Sequence, residues 1–210
     1  MRMRYEIFVH PIKTLRRLRY HYFDSAYDWW LGIETKHGAS DAGDVPDVDP
    51  YDPTEPKYLF WAFRNLPIEV RGYSFVDFGS GKGRVLIAAA KHPFRQVIGV
   101  EHSTDLHQAA VANIRSAKRM KCSSVSSVCM DATEFSIPET PCVIYFYNPF
   151  KGQTMDRVLS NIRESLLRSP RPLFLVYVHP VLHDVFIRQP GLSLLKSGNW
   201  CNLYSWRAEN

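Results

Sequence analysis

The segment Val76–Arg84, VDFGSGKGR, carries the residues of this chain with the clearest chemical potential. Gly79, Gly81 and Gly83 alternate with other residues, and Asp77 precedes them. Glycines in a turn between a strand and a helix let a ligand approach the backbone closely, because no Cβ intervenes. The carboxylate of Asp77 opposes a pyrophosphate and favours a ligand that carries an ammonium or sulfonium group.

The spacing of these glycines differs from that of two common phosphate-binding turns. A dinucleotide-binding turn reads G-x-G-x-x-G, whereas this chain has Arg84 in place of the third glycine. A P-loop has Ser or Thr after its Gly-Lys pair, where this chain has Gly83 after Lys82. Lys82 and Arg84 would themselves suit a phosphate, so the interpretation depends on the glycine spacing.

Two further acids follow predicted strands. Glu101 ends the strand QVIGVE, 18 residues beyond Gly83, where its carboxylate can accept hydrogen bonds from both hydroxyls of a ribose. Asp131 follows the next strand and could accept from an adenine amino group, with a helix N-cap as the alternative role. The two acids together favour an adenosine-containing ligand.

Short apolar runs alternate with helical patterns from Tyr73 onward, which predicts a parallel α/β sheet. The polar turn KSGN, between two β-type runs near the C-terminus, predicts a final hairpin with an antiparallel last strand. Strands are predicted at YSFVDF, QVIGVE, SVSSVCM, CVIYFY and PLFLVYV. Helices are predicted over Val85–Lys91, over Ser103–Met120 with Ser103 as N-cap, and over a segment that places Met155, Val158, Leu159, Ile162 and Leu166 on one face.

The N-terminal quarter differs in charge from the rest of the chain. Residues 1–20 contain six basic residues and one acid, a net charge of +5, and residues 21–60 contain two basic residues and nine acids, a net charge of −7. We therefore divide the chain into a basic helical arm with an acidic connector, 1–56, and one domain, 57–210. The predicted arm helix begins at Pro11 and could bind a membrane or a nucleic acid, although packing on its own domain is favoured. Its apolar face would consist of Ile12, Leu15, Leu18, Tyr22, Ala26 and Trp29.

Composition narrows the class of protein. No apolar run approaches the roughly 20 residues of a membrane span, and the N-terminus is too polar for a signal peptide, so a soluble cytoplasmic protein is predicted. The four cysteines follow no zinc spacing. Neither a disulfide nor a metal site is expected.

These motifs together carry a family resemblance. Asp77–Gly83, Glu101, Asp131 and the strand end YFYNPF resemble the class I S-adenosylmethionine (SAM) dependent methyltransferases over roughly Tyr58–Arg207, and FGSGKGR, IGVE and YNPF are especially similar to small bacterial members. The resemblance implies a Rossmann-like seven-stranded sheet, mostly parallel with an antiparallel last strand, and SAM as the cofactor. It implies that Asp77 and the glycine turn hold the methionine end, Glu101 the ribose and Asp131 the adenine. The complete predicted cofactor site is Asp77, Gly79, Ser80, Gly81, Gly83, Glu101, His102, Asp131, Ala132 and Asn148.

The tripeptide Asn148-Pro149-Phe150 resembles the Asn/Asp-Pro-Pro-aromatic motif of amino methyltransferases. In that motif the side-chain oxygen and a backbone carbonyl accept hydrogen bonds from the acceptor NH₂, and the aromatic ring stacks on a planar acceptor. These three residues are therefore the predicted catalytic residues, with a simple turn after a strand as the alternative. Because the second proline is missing, planar bases are less favoured as acceptors. Family members with an Asn near this place methylate protein side chains, so the resemblance leaves a lysine or glutamine acceptor open.

The resemblance also implies that N-terminal segments cover the cofactor and select the acceptor. Tyr51, Thr54 and Tyr58 are the predicted substrate-binding residues of that region, and Tyr147 and His179 are the candidate general bases after two of the strands.

The predicted function is SAM-dependent N-methylation of an amine or amide, with a protein side chain or a small molecule favoured over nucleic acid as the unknown acceptor. Two alternatives from other classes are a non-catalytic module that binds SAM or nucleic acid, and a nicotinamide-dependent oxidoreductase.

Overall fold

The computed structural model describes residues 23–36 and 51–208. Its framework is one seven-stranded sheet, in which the strands lie in the order β3-β2-β1-β4-β5-β7-β6 once they are numbered along the chain. The strands are β1 Ser74–Phe78, β2 Gln96–Glu101, β3 Val125–Cys129, β4 Cys142–Tyr147, β5 Leu173–Val178, β6 Leu192–Ser197 and β7 Cys201–Trp206.

Strand direction follows the prediction from sequence. Neighbouring strands from β3 to β5 pair in parallel, whereas β7 pairs antiparallel with both β5 and β6. The predicted Rossmann-like sheet with its antiparallel last strand is therefore confirmed. From β1 the chain continues to β2 and β3 on one side and then crosses to β4 on the other side of β1. At this change of direction a crevice opens between β1 and β4 at the carboxyl edge of the sheet.

Helices cover both faces of the sheet. They are α1 (residues 23–31), α2 Pro56–Asn65, α3 Arg84–Ala90, α4 Thr104–Ser116, α5 Gly152–Arg168 and α6 His183–Ile187. Side chains alternate between the faces along each strand. Phe78 and Phe146 thus pack with α5 and α6 on one face, and Phe75 and Tyr145 pack with α2 and α3 on the other.

For α4 and α5 the sequence predicted the N-cap and the buried face correctly, but it did not predict where α4 ends. Ser103 caps α4 by accepting a hydrogen bond from the backbone N–H of Leu106 at 3.4 Å. The helix ends at Ser116, four residues earlier than predicted, because buried Cys122 returns the chain towards α3 before β3 begins. The predicted apolar face of α5 is completely buried.

The prediction for the arm helix is wrong in the part that the structure describes. Ala26 and Trp29 were predicted to lie on its apolar face, but both are exposed, Trp29 at 83%. The face of α1 that packs on the domain instead carries Asp24, Asp28 and Leu31. The other predicted members of the apolar face, Ile12, Leu15, Leu18 and Tyr22, lie outside the described residues.

Arg84 explains why α1 buries two carboxylates. Its side chain is 2% exposed, and its Nε lies 2.8 Å from Oδ1 of Asp28 while Nη2 donates to Oδ2 at 3.0 Å. Nη1 lies 3.3 Å from Oδ1 of Asp24 and donates to the carbonyl of Thr54 at 2.9 Å. The hydroxyl of Thr35 accepts from Nε at 3.0 Å. This set, Arg84 with Asp24, Asp28, Thr35 and Thr54, is called the Arg84 cluster below.

A second contact attaches the segment after α1 to α4. Asn113 accepts a hydrogen bond from the backbone N–H of Glu34 at 3.0 Å and donates to the carbonyls of Glu34 and Lys82, both at 2.9 Å. The hydroxyl of Ser116 donates to the carbonyl of Gly32 at 2.9 Å. The described part of the arm therefore packs on the domain, which is the arrangement that the sequence favoured. Within the described ranges no helix combines the length and the apolar character that crossing a membrane requires.

Replacement of Arg84 should strongly destabilise the fold. Arg84→Met leaves the carboxylates of Asp24 and Asp28 buried without their guanidinium, so we expect a loss of about 3 to 5 kcal/mol in the free energy of unfolding. The matched control is Arg71→Met, because the pair of Arg71 with Glu69 is exposed at 76% and 83% and should contribute at most about 1 kcal/mol. Urea unfolding of both variants measures the difference, and equal losses would contradict a central role for Arg84.

Candidate functional site

A cavity of about 500 Å³ occupies the carboxyl edge of the sheet at the crevice between β1 and β4. Ligands of open α/β sheets bind at such an edge because the chain leaves adjacent strands in opposite directions there. The cavity brings together residues that follow five strands with residues 51–54. Of the predicted site residues, its lining contains Tyr51, Thr54, Asp77, Gly79, Ser80, Glu101, His102, Asp131, Ala132, Tyr147, Asn148, Pro149, Phe150 and His179.

The glycine turn after β1 needs glycine for two physical reasons. Gly79, Gly81 and Gly83 have φ values of 73°, 52° and 82°, which L-residues with a Cβ rarely adopt. A Cβ on Gly79 would lie 2.7 Å from Cβ of Pro149, and a Cβ on Gly81 would overlap the ring of Tyr51. Close approach by the protein's own side chains therefore requires these glycines. Gly79 lines the cavity, whereas Gly81 and Gly83, which the sequence also predicted as cofactor residues, are not in its described lining.

Asp77, at the end of β1, and Ser80, in the turn that follows, each bury a polar side-chain atom. Asp77 is 2% exposed and Ser80 is 6% exposed. Within the described chain, Oδ2 of Asp77 and Oγ of Ser80 have no hydrogen-bond partner. Burial raises the pKa of Asp77 well above its usual range, and the nearby charge of Glu101 adds to the increase. A cationic group in the cavity would relieve both costs.

Glu101, at the end of β2, braces the glycine turn. Its Oε2 accepts from the backbone N–H of Gly81 at 2.7 Å, and its Oε1 accepts from that of Ser103 at 2.9 Å. Because each carboxylate oxygen can accept a second hydrogen bond, the side chain can still receive ribose hydroxyls. The contact between Glu101 and Gly81 could not be predicted from the sequence, because the two residues lie 20 positions apart.

Asp131 performs the capping role that was its alternative interpretation. Its Oδ1 accepts from both the backbone N–H and the hydroxyl of Thr133, each at 2.8 Å, at the start of the 3₁₀ helix Ala132–Glu134. These hydrogen bonds lower the pKa of Asp131. Asp131 also lines the cavity beside Ala132, so its predicted contact with adenine stays a prediction.

The tripeptide after β4 has an unusual backbone. Asn148 has φ of 43°, a conformation that asparagine tolerates better than most residues, and its Oδ1 accepts from the hydroxyl of Tyr177 at 3.1 Å. Pro149 packs against Gly79, as described above. Phe150 is 6% exposed and its ring packs edge-on to Phe78 at 6.3 Å, so little of that ring is left to stack on a planar acceptor.

Tyr147 and Asp52 mark the end of the cavity opposite Glu101 and Asp131. The hydroxyl of Tyr147 donates to Oδ2 of Asp52 at 3.2 Å. Burial, followed by the charge of Asp52, raises the pKa of Tyr147 above its usual range, which makes its phenol a poor proton acceptor at neutral pH. Tyr58 is 4% exposed and does not line the cavity, but it packs behind Tyr147 and His179.

Three residues at or beside the site were not recognised as such from the sequence. Asp52 stood among many acids in the connector, and Tyr177 looked like an ordinary strand residue. Arg84 was considered for its affinity for phosphate, whereas its guanidinium is bound by Asp24 and Asp28. The signal that could have identified Arg84 is the presence of two acids four residues apart, on one face of the predicted arm helix.

Comparison with solved structures identifies the fold. An RNA methyltransferase from Salinibacter ruber in complex with S-adenosyl-L-homocysteine is 20% identical, with 76% of this chain and 95% of that chain covered and a TM-score of 0.52. A proposed RNA methyltransferase from Pyrococcus horikoshii is 13% identical, with 87% and 97% covered and a TM-score of 0.53. A ribosomal protein L11 methylase from Lactobacillus delbrueckii subsp. bulgaricus is 14% identical, with 73% and 78% covered and a TM-score of 0.52.

The chain thus has the Rossmann-like fold of these class I methyltransferases. Its sequence matches no protein-family model and no curated protein. At such low sequence identity the similarity to these structures defines the architecture, whereas the chemistry depends on the residues of the cavity.

The buried carboxylate of Asp77 should make stability depend on pH. A carboxyl whose pKa is raised in the folded state stabilises the fold below its ordinary pKa of 3.8, and this contribution is lost as pH rises through the raised value. Asp77→Asn removes the dependence, so the variant should be more stable than the wild type by at least ~1 kcal/mol at pH 7 to 8, and by less near pH 4. Urea unfolding across this range measures the effect. Exposed Asp156→Asn is the control, and a difference for Asp77→Asn that does not change with pH would contradict the argument.

Proposed function

We propose that this protein is a SAM-dependent methyltransferase, one of the small bacterial type within class I, that methylates a nitrogen of an amine or amide acceptor. The observation that carries the proposal is the buried, unsatisfied carboxylate of Asp77 beneath a glycine turn, in the same cavity as Asn148. The fold supports it, since one solved structure with this fold is in complex with S-adenosyl-L-homocysteine.

The charge of the cavity fits a cationic cofactor. Among the described residues, four carboxylates line it, those of Asp52, Asp77, Glu101 and Asp131. The one lysine or arginine in the described lining is Arg84, whose charge is balanced by Asp24 and Asp28. Such a field attracts the sulfonium and ammonium groups of SAM and repels the pyrophosphate of a nicotinamide cofactor.

Three parts of SAM, the ammonium, the ribose and the adenine, have groups in the cavity that suit them. Asp77 and Ser80 would receive the ammonium of the methionine end, whose binding would satisfy Oδ2 and Oγ. Glu101 would hold the ribose hydroxyls and Asp131 the adenine amino group, beside His102 and Ala132. When bound, SAM supplies a methyl group on a sulfonium, which is open to in-line attack by a nucleophile.

The contribution of the protein to that step is positioning. Oδ1 of Asn148 is oriented by the hydroxyl of Tyr177, which uses one of its two acceptor sites. Because Asn148 lines the cavity, this oxygen would face an N–H of the acceptor and so direct the nitrogen lone pair. Positioning of this kind can supply a large share of the rate enhancement of a displacement that needs no protein nucleophile.

Titration of the protein with S-adenosyl-L-homocysteine, followed by calorimetry, tests the proposal directly. We expect saturable binding, and no comparable binding of NADH, because the acidic cavity repels a pyrophosphate. Glu101→Gln should weaken binding of S-adenosyl-L-homocysteine by about 1.5 to 3 kcal/mol, the range for hydrogen bonds to a charged group.

Because Glu101 also braces Gly81, the unfolding of Glu101→Gln must be measured beside its ligand affinity. Exposed Glu69→Gln is the matched control. A folded Glu101→Gln protein with unchanged affinity would remove Glu101 from the site. Binding of NADH without any binding of S-adenosyl-L-homocysteine would overturn the methyltransferase proposal itself.

The positioning role of Asn148 can be tested with substitutions that keep its backbone conformation. Asn148→Gly keeps the positive φ at no strain and removes the oxygen, whereas Asn148→Asp keeps an oxygen that can still accept from Tyr177. With methyl-labelled SAM and cell extract as the source of acceptor, Asn148→Gly should slow label transfer roughly a hundredfold and leave S-adenosyl-L-homocysteine affinity within a few-fold of wild type. Asn148→Asp should retain much of the activity. Wild-type rates for Asn148→Gly would show that the residue only forms a turn.

A further inference from the structure

Four aromatic rings are grouped around His179 at the end of the cavity at which an acceptor would enter. The ring centroid of His179 lies 5.2 Å from that of Tyr58, 5.4 Å from that of Tyr147 and 5.4 Å from that of Trp200. Tyr147 and His179 line the cavity directly. Trp200 is 56% exposed, which is unusual for so large an apolar side chain. We call these four residues the aromatic wall.

The topology of the sheet places the aromatic wall beside Asn148. Tyr147 ends β4 and His179 follows β5, so both lie at the carboxyl edge. Because β7 runs antiparallel to β5, Trp200, immediately before β7, lies at the same edge. The backbone N–H of His179 donates to the carbonyl of Trp200 at 2.8 Å, which fixes the two residues relative to each other.

The backbone at the aromatic wall is strained. Of the three non-glycine residues with positive φ in the described chain, Asn148 and His179 flank this end of the cavity, with φ of 43° and 48°. Residues other than glycine are held in this conformation only where the surrounding structure compensates, and they concentrate at functional sites. The strain supports a role for the aromatic wall beyond core packing.

An acid lies at this end of the cavity. Oδ2 of Asp52 accepts from the hydroxyl of Tyr147 at 3.2 Å, so a carboxylate is fixed next to the wall. Among the described lining residues at this end, namely 51–54, 147–148 and His179, none is a lysine or an arginine. The nearby Lys57 is paired with Glu55 at 2.6 Å and lies over the ring of Tyr58 at 4.7 Å from its centroid, so that ring already holds a cation of the chain itself. Aromatic faces next to a carboxylate attract cations and repel anions.

We infer that this end of the cavity binds a protonated alkylamine, the chemistry that a lysine side chain shares with free alkylamines. The inference rests on the proposed function and specifies its acceptor. The ammonium would lie against the two rings of the aromatic wall that line the cavity, Tyr147 and His179, and donate a charge-assisted hydrogen bond to Asp52. The alkyl chain would leave the cavity past the exposed indole of Trp200.

A nucleobase fits this end less well than an ammonium does. An RNA or DNA substrate would bring phosphates towards Asp52, and the described lining residues at this end include no lysine or arginine to receive them. Phe150, the ring of the tripeptide that could stack on a base, is buried against Phe78. The acid and the buried ring together favour the amine.

The transfer balances without any further reagent. The bound ammonium releases one proton to water, and the freed nitrogen lone pair forms the new C–N bond. The C–S bond to the methyl group breaks and its electron pair stays on sulfur, which turns the sulfonium into a neutral thioether. The product nitrogen carries the positive charge that sulfur has lost, so the aromatic wall faces a cation before and after the reaction.

The test uses n-butylammonium chloride as the probe, with n-butanol as its neutral analogue and sodium butyrate as its anionic one. Each is titrated into the full-length protein saturated with S-adenosyl-L-homocysteine, and the indole N–H signal of Trp200, assigned with Trp200→Phe, is followed by NMR. We expect n-butylammonium to bind at least ~5-fold more tightly than n-butanol, with butyrate weaker still. Asp52→Asn should remove most of that preference.

Matched controls separate this site from general ionic effects. Trp29→Phe and Asp156→Asn change an exposed tryptophan and an exposed aspartate outside the cavity and should leave the preference for n-butylammonium intact. Binding of S-adenosyl-L-homocysteine without a preference for n-butylammonium would overturn the amine assignment alone. Failure of S-adenosyl-L-homocysteine to bind would overturn the proposed function and the inference with it.

A second arm of the experiment distinguishes the sources of the amine. Cell extract is incubated with methyl-labelled SAM and divided into protein, nucleic-acid and small-molecule fractions. Label recovered as N-methyllysine after acid hydrolysis of the protein fraction identifies a lysine side chain, and label on an amine that passes a size filter identifies a free alkylamine. Either result supports the inference, whereas label that nuclease releases would overturn it.

Discussion

The buried guanidinium of Arg84 is the interaction on which the rest of the structure depends. It joins α1, the carbonyl of Thr54 and the helix that follows the glycine turn through contacts of 2.8 to 3.3 Å. Burial raises the pKa of Asp24, and the charges of Arg84 and Lys36 oppose that increase. Because a buried charge without its partner is costly, these separate segments are stable only in the arrangement that keeps the Arg84 cluster together.

The shape of the cavity is a consequence of the Arg84 cluster. Arg84 holds residue 54 at the start of α3, which brings Tyr51 over Gly81 and Asp52 to the hydroxyl of Tyr147. The end of the acidic connector thereby becomes one wall of the site, although it lies outside the strand-and-helix pattern of the sheet. Residues 51–54 therefore contribute both to the cavity wall beside the glycine turn and to the end of the cavity at Tyr147. Substitutions in α1 that break the Arg84 cluster should alter both.

The sequence predicted what depends on periodicity and missed what depends on distant polar contacts. The strands and α5 were recognisable because apolar residues recur at the spacing of one buried face. The prediction for the inner face of α1 was wrong because Asp24 and Asp28 are buried as ion-pair partners of Arg84, which lies about 60 residues away in the sequence. Likewise, Ser103 as N-cap follows from local sequence, whereas the contacts of Asp52 with Tyr147 and of Asn148 with Tyr177 join residues from different elements.

Several unfavourable features meet at one edge of the sheet, and their coincidence is itself an argument for function. Among the described residues Oδ2 of Asp77 has no hydrogen-bond partner, and Asn148 and His179 have positive φ. Each feature reduces stability, and the completely buried faces of α5 and the central strands compensate for it. A fold under selection for stability alone would replace Asp77 with an apolar residue. A cationic ligand would explain these features together. It would satisfy the desolvated carboxylate of Asp77, and the strained backbone at Asn148 and His179 would hold the side chains that face its reactive end.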